Sequence, residues 1–309
     1  AGDANAASDV FVHDRSTGVT ERVSTDTAGG QHGGASLHPS ISADGRFVAF
    51  HSRADLVPVD DNGFADVYVR DRTAGTTTRV SLDSAGLQVD GPSVVPTISA
   101  NGQIVAFKSW AGNLVVGDTN GDSDTFAHDR TTGATTRISV DSSGNQADAS
   151  PGLDVPSALS ADGRYVAFSS PATNLVAGDT NGQWDVFVHD RTTGATTRIS
   201  VDSSGNQGDG NSWVPSISDD GRFVVFESRS TNFVTGDWWG TNDIFLHDRT
   251  TGVTTRASVD SAGDQGFWFR NSFSPSISPD GNCVAFSSEA EFVALDIYGI
   301  SDLFLNCFA

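Results

Sequence analysis

The sequence has no methionine, a single lysine (Lys108), two cysteines and four glutamates, and no unbroken run of about eighteen apolar residues. The last absence excludes a membrane-spanning helix. Eighteen Lys and Arg stand against 39 Asp and Glu, for a net charge of −21. Nucleic acid is therefore excluded as a partner, because phosphates need a basic face, and anionic membranes are disfavoured. The pair Cys283 and Cys307 leaves no spare thiol and reads as a disulfide made in an oxidising compartment. A chain that begins at Ala1 and lacks methionine is expected to be a mature, secreted form whose leader has been removed. No nucleophile elbow, phosphate loop, CxxC or HExxH pattern occurs, so no motif demands an enzyme. What is abundant is aspartate. A strongly acidic surface suits divalent cations, and it equally suits the solubility of an exported protein.

Internal repeats decide the architecture. A strand-like run recurs as "DVFVHDR" at Asp9, "DVYVRDR" at Asp66, "DTFAHDR" at Asp124, "DVFVHDR" at Asp185 and "DIFLHDR" at Asp243, with a decayed copy "DLFLNC" at Asp302. The steps between copies run from 57 residues (Asp9 to Asp66) to 61 (Asp124 to Asp185). Between them sit "TTRIS"-type runs near Arg22, Arg79, Arg137, Arg198 and Arg256, "PSIS"-type runs near Ile41, Ile98, Leu159, Ile217 and Ile277, and "VAF"-type runs ending at Phe50, Phe107, Phe168, Phe226 and Phe286. Each is short and rich in β-branched or aromatic residues, and "ADGR" and "RTTG" turns of hairpin chemistry separate them. Four strands per repeat, none able to bury both faces alone, predict an all-β fold, a β-propeller of four-stranded antiparallel blades.

The runs "PSISADGRFVAF" and "DVYVRDRTAGTTTRVS" resemble the TolB-like β-propeller family over essentially the whole chain. The resemblance implies a periplasmic or extracellular propeller, and it leaves the task open, since such propellers serve as binding scaffolds and as enzyme modules. Five copies of three strands and six of the fourth predict five blades, with six positions and an incomplete blade as the alternative. Residues 1–309 are expected to close as a single domain, the N-terminal hairpin 9–24 completing the blade begun by C-terminal strands 275–307. Cys283 and Cys307 are placed to meet on neighbouring strands of that last blade.

The segment ahead of each "DVFVHD"-type strand places oxygen-bearing side chains at alternate positions, fullest at Asp118, Asn120, Asp122 and Asp124. Calcium takes six to eight oxygens in flexible geometry, and this spacing resembles the first half of an EF-hand loop. Asp60, Asn62 and Asp66, and Asp179, Asn181, Gln183 and Asp185, are the weaker calcium candidates. The first and seventh aspartates persist where the middle ligands are gone, as at Asp237 and Asp243, at Asp296 and Asp302, and at Asp3 and Asp9. That persistence points to a structural share in the signal, an Asx turn leading into a strand.

All six tryptophans are expected on one face of the ring: Trp110, Trp184, Trp238 and Trp239 in the aspartate loops, Trp213 and Trp268 in blade-to-blade loops. They make a candidate aromatic platform for a carbohydrate or an extracellular protein, or else pack the long loops together. The position after the "VAF" phenylalanine breaks the symmetry as His51, Lys108, Ser169, Glu227 and Ser287. These side chains either converge as an acid–base set or pack between blades. The histidines His13, His128, His189 and His247 repeat too regularly for catalysis and are read as packed between blades. Two functions follow. The first is a secreted, calcium-stabilised binding or scaffold propeller. The alternative is a uronate lyase in which His51 or Lys108 removes a proton, with Glu227 beside them and Arg270 neutralising the substrate.

Overall fold

The computed structural model describes residues 4–152, 155–237, 239–265, 270–293 and 301–308. Among them are 21 strands and no helix. The chain clusters into two compact units, Ala1–Ile138 and Ser139–Ala309. In the first unit a hairpin, β1 (Phe11–Asp14) and β2 (Val19–Arg22), precedes two four-stranded sheets. These are β3 (Ser36–Ile41), β4 (Phe47–Ser52), β5 (Asp66–Asp71) and β6 (Thr76–Arg79), then β7 (Ser93–Ile98), β8 (Ile104–Ser109), β9 (Asp124–Asp129) and β10 (Thr135–Arg137). The second unit holds β11 (Ala158–Leu159), β12 (Tyr165–Ser170), β13 (Asp185–Asp190) and β14 (Thr196–Arg198), then β15 (Ser212–Ile217), β16 (Phe223–Ser228), β17 (Asp243–Asp248) and β18 (Val253–Arg256). A three-stranded sheet follows: β19 (Ser272–Ile277), β20 (Cys283–Ser288) and β21 (Asp302–Cys307). Four antiparallel sheets of consecutive strands and a three-stranded fifth are the blades that the repeats predict.

The pleat explains the V-Y-V and V-F-V runs. In β5, Val67 and Val69 join Val105, Phe107 and Phe126 of the next sheet, while Tyr68 turns back with Phe50 towards Val10 and Val23 of the hairpin. In the second unit, Val186 and Val188 of β13 likewise pack with Val224 and Phe226 of β16. The cores thus lie between sheets, and each middle strand serves two of them, so both of its faces are apolar. Burial on this scale is worth about 1.5–3 kcal/mol per large side chain.

The first strands begin three residues before the proline of the "PSIS"-type motif, earlier than the sequence suggests. Two local features extend them. The serine that opens the strand meets its cross-strand serine, as Ser36 Oγ does Ser52 Oγ at 2.9 Å and Ser212 Oγ does Ser228 Oγ at 2.8 Å. The residue before the proline then takes a left-handed conformation, with φ of 52° at His38, 52° at Val95, 51° at Val214 and 52° at Ser274, and the ladder resumes beyond this bulge. Trp213 is consequently a residue of β15 and not of a blade-to-blade loop.

Cys283 and Cys307 form a disulfide across β20 and β21. Phe47 and Asp71, Tyr165 and Asp190, and Phe223 and Asp248 hold the same register position in other sheets. There the aspartate accepts two hydrogen bonds from the turn arginine, at 3.0 and 2.7 Å from Arg46, 2.8 and 2.6 Å from Arg164, and 2.9 and 2.6 Å from Arg222. In the last sheet a covalent bond stands where these three have a bidentate ion pair.

Candidate functional site

In the four-stranded sheets the aspartate loop delivers its first and seventh carboxylates to one arginine of the sheet's outermost strand. Arg79 lies 3.1 Å from Asp60 and 3.3 Å from Asp66, and Arg137 lies 3.2 Å from Asp118 and 3.3 Å from Asp124. In the second unit Arg198 lies 3.3 Å from Asp179 and 3.4 Å from Asp185, and Arg256 lies 2.7 Å from Asp237 and 3.9 Å from Asp243. The hairpin repeats half of the arrangement with Arg22 at 2.9 Å from Asp9, while Asp3 lies outside the described residues.

A second grip comes from the serine two residues beyond the arginine. Ser81 and Ser200 donate to Asp66 and Asp185, and Ser258 and Ser24 donate to Asp243 and Asp9 at 2.7 Å each. The same hydroxyls accept the next backbone N–H, as Ser81 does from Val67 at 3.0 Å and Ser258 from Ile244 at 3.1 Å. The "TR-x-S" pattern therefore bolts the third strand of a sheet to the fourth. Burial pushes the carboxyls of Asp66, Asp179, Asp185 and Asp237 upward and that of Asp243 up to about 6.

The third and fifth positions face elsewhere. Asn62 Oδ1 accepts from Phe64 N at 2.9 Å, Asn120 Oδ1 from Asp122 N at 3.0 Å and Asn181 Oδ1 from Gln183 N at 3.0 Å. The amide nitrogens of Asn62 and Asn181 point to Asp66 and Asp185 and donate to the carbonyls of Val89 and Gly208. A calcium shell needs the opposite, an oxygen beside that carboxylate, and it needs the central space that the guanidinium fills. Asp122 is exposed. Among the described residues no three His, Cys, Asp or Glu side chains gather at metal-ligand spacing.

Of the symmetry-breaking residues, His51 lies in β4 and Lys108 in β8 of the first unit, both buried, and Glu227 lies buried in β16 of the second. His51 Nδ1 accepts from Val95 N at 3.3 Å, and Glu227 Oε1 accepts from Ser274 N at 2.6 Å. Both donors are N–H groups of the left-handed bulge residue in the following sheet, so these side chains join neighbouring blades. Burial and then the nearby His38 push the imidazole of His51 down to about 4, and burial raises Glu227. The histidines His128, His189 and His247 each meet a strand-four threonine at 2.9 Å, and His13 meets Thr20 at 2.7 Å.

The tryptophans have separate surroundings. Trp110 is 47% exposed just after β8. Trp184 packs its ring on Gly152, where a Cβ would come within 2.8 Å. Trp213 lies opposite Glu227, with Arg229 5.7 Å from its ring. Trp239 lines a small cavity with Arg270 and Phe292, and Arg270 stands 4.0 Å from Glu291. Trp238, Trp268 and Asp296 lie outside the described residues.

Sequence reasoning missed the arginines and serines. The signal was a constant interval: Asp66 to Arg79, Asp124 to Arg137, Asp185 to Arg198 and Asp243 to Arg256 are all separated by 13 positions, as are Asp9 and Arg22.

No protein-family model matches this sequence, and no curated protein matches it. Solved structures do. TolB from Acinetobacter baumannii is 17% identical, with 91% of this chain and 56% of that one covered at a TM-score of 0.50. A TolB from Agrobacterium tumefaciens, described as putative, is 18% identical over 97% of this chain and 84% of that one, at 0.52. An oligogalacturonate lyase in complex with manganese is 12% identical over 93% of this chain and 69% of that one, at 0.51. The chain thus spans little more than half of the Acinetobacter protein, and what it shares with these structures is the TolB-like β-propeller fold.

Proposed function

We propose that the protein is an exported binding or scaffold propeller whose long loops, carrying Trp110 and Trp239, meet an extracellular carbohydrate or protein. The observation that carries this reading is that His51 and Glu227, two of the expected acid–base groups, each accept a backbone N–H in the next sheet. Export rests on the disulfide, which persists in oxidising compartments. In this reading the loop cation is the arginine's guanidinium, and calcium is not needed to hold the loops.

A uronate lyase is the second reading, favoured by the fold it shares with an oligogalacturonate lyase. There His51, neutral at pH 7, would take the proton and Arg270 would hold the carboxylate. The deciding experiment titrates tryptophan fluorescence with neutral and acidic polysaccharides while assaying the same samples for new unsaturated ends. Saturable change without product supports the binding protein. Product that disappears in His51→Ala or Lys108→Met supports the lyase, and no response to any sugar leaves a protein as the partner.

A further inference from the structure

The four repeats act as internal controls for one another, and the first four-stranded sheet departs from its siblings beside its fourth strand. Beside β6 lies an open groove of about 880 Å³. Val59 borders it, 79% exposed and with φ of 74°. Gly117, Gly178 and Gly236 stand at that position in the other loops, with φ of 82°, 77° and 83°. Glycine enters this region freely, whereas a β-branched residue there is a conformational outlier that costs the fold free energy.

Across the groove Leu87 is 63% exposed. The other turns have Asn145, Asn206 and Asp264 there, and the two asparagines donate to the turn aspartate at 2.8 Å each. Val89 replaces Ala147 and Gly208, and Leu82 replaces Val140 and Val201. Four positions of one groove have thus become larger or more apolar than their counterparts, two of them exposed to water and one against the backbone's preference. Clustered exposed apolar groups mark interaction sites.

The groove's chemistry selects its occupant. No aromatic side chain lines it, which disfavours sugar rings. Its rim carries two exposed carboxylates, Asp61 and Asp90, and Asp61 stands where the second and third sheets have Thr119 and Thr180. A second copy of a chain with net charge −21 is a poor match for that rim. Thr77 and Thr78 of β6 form one wall, and because Thr27 Oγ1 already takes the Thr77 N–H at 3.1 Å and donates to its carbonyl, an occupant is held by its side chains and not by backbone pairing with β6.

We propose that this groove docks a short segment of a partner protein, with aliphatic side chains seated against Val59, Leu82 and Leu87 and lysine or arginine meeting Asp61 and Asp90. The proposal rests on the binding-protein reading and gives it a site and a partner chemistry.

The test uses fluorescence anisotropy with a labelled Lys-Leu-Val-Leu-Lys peptide, a version with glutamate for lysine, and a version with serine for the apolar residues. The variant is Val59→Gly with Leu87→Asn, which restores residues already accommodated in the sibling sheets. Saturable, salt-sensitive binding of the lysine peptide alone, weakened at least tenfold in the variant while its Tm stays equal or rises, is the expected result. A merely structural role for Val59 would move Tm and leave affinity unchanged. No saturable binding by the wild type, equal binding by the variant, or self-association that the variant abolishes would each overturn the proposal. Tryptophan fluorescence separates the two readings, because no tryptophan lines the groove: a sugar response kept by the variant leaves the binding protein standing without this site.

Discussion

Replacing Asp243 by asparagine should make the protein more acid-indifferent and, near neutral pH, more stable. Asp243 and Asp237 share Arg256, at 3.9 and 2.7 Å, so two carboxylates surround one guanidinium in a buried place and one negative charge is in excess. Burial is the largest cause that lifts Asp243 from 3.8 to about 6, outweighing Arg256 and the hydrogen bond from Ser258. A rise of about two units is worth about 3 kcal/mol. The folded state therefore holds a proton that the unfolded state gives up near pH 4. This contribution is fully present below that point and is lost as pH rises through about 6. The amide of Asp243→Asn keeps an oxygen for Ser258 and removes the titration. The expected result is a stability difference, variant minus wild type, that grows by about 3 kcal/mol between pH 4 and pH 7. At the roughly 2 °C per kcal/mol of large domains, that is a relative gain in Tm of about 6 °C. Thermal melts followed by near-ultraviolet circular dichroism measure it. A difference that stays flat, or shrinks as pH rises, would refute the reasoning and mean that Arg256 neutralises both carboxylates outright.

Calcium should matter little: a site filled at a hundred times its Kd would add about 2.7 kcal/mol, whereas millimolar calcium or chelator is expected to shift Tm by less than about 2 °C, and a larger shift would return the loops to metal binding. Replacing Cys283 and Cys307 by serine should cost about 3.5 kcal/mol in chain entropy for a separation of 24 residues, read from denaturant midpoints against the oxidised wild type. Arg164→Ala should flatten the acid limb of the stability curve, because Arg164 holds the Asp190 carboxyl well below its usual range and that stabilisation is lost as pH falls. The loss at pH 7 should be small, since water screens the Arg164 side chain, which is 38% exposed.

The strands were legible because period-two runs of Val, Ile and Phe between glycine turns admit few other structures, and the disulfide because two cysteines fell on neighbouring strands. The bulge was not legible. Nothing in the identity of Val95 or Val214 announces a left-handed backbone, and it is this bulge that frees the N–H groups taken by His51 and Glu227. Without it, a histidine and a glutamate at matching positions read either as chemistry or as packing between blades, and with it they read as joints.

The aspartates teach the converse lesson, since their signal was present and its partner was looked for too close by. A run such as Asp118, Asn120, Asp122 and Asp124 invites a search for ligands inside the loop, where calcium would gather them. The group that answers these carboxylates lies one hairpin away, on the strand that the loop's own strand pairs with, and an antiparallel register brings Asp124 and Arg137 together at 3.3 Å. Asparagine and glutamine at the third and fifth positions vary because the guanidinium does not need them. The first and seventh aspartates recur in the four-stranded sheets because both set an acceptor oxygen against the same buried arginine, and it is that oxygen, which asparagine also supplies, more than a second negative charge, that the buried place calls for. Copying fidelity within this chain therefore follows the buried contacts a side chain makes, and Val59 and Leu87, both exposed, are where the copies part.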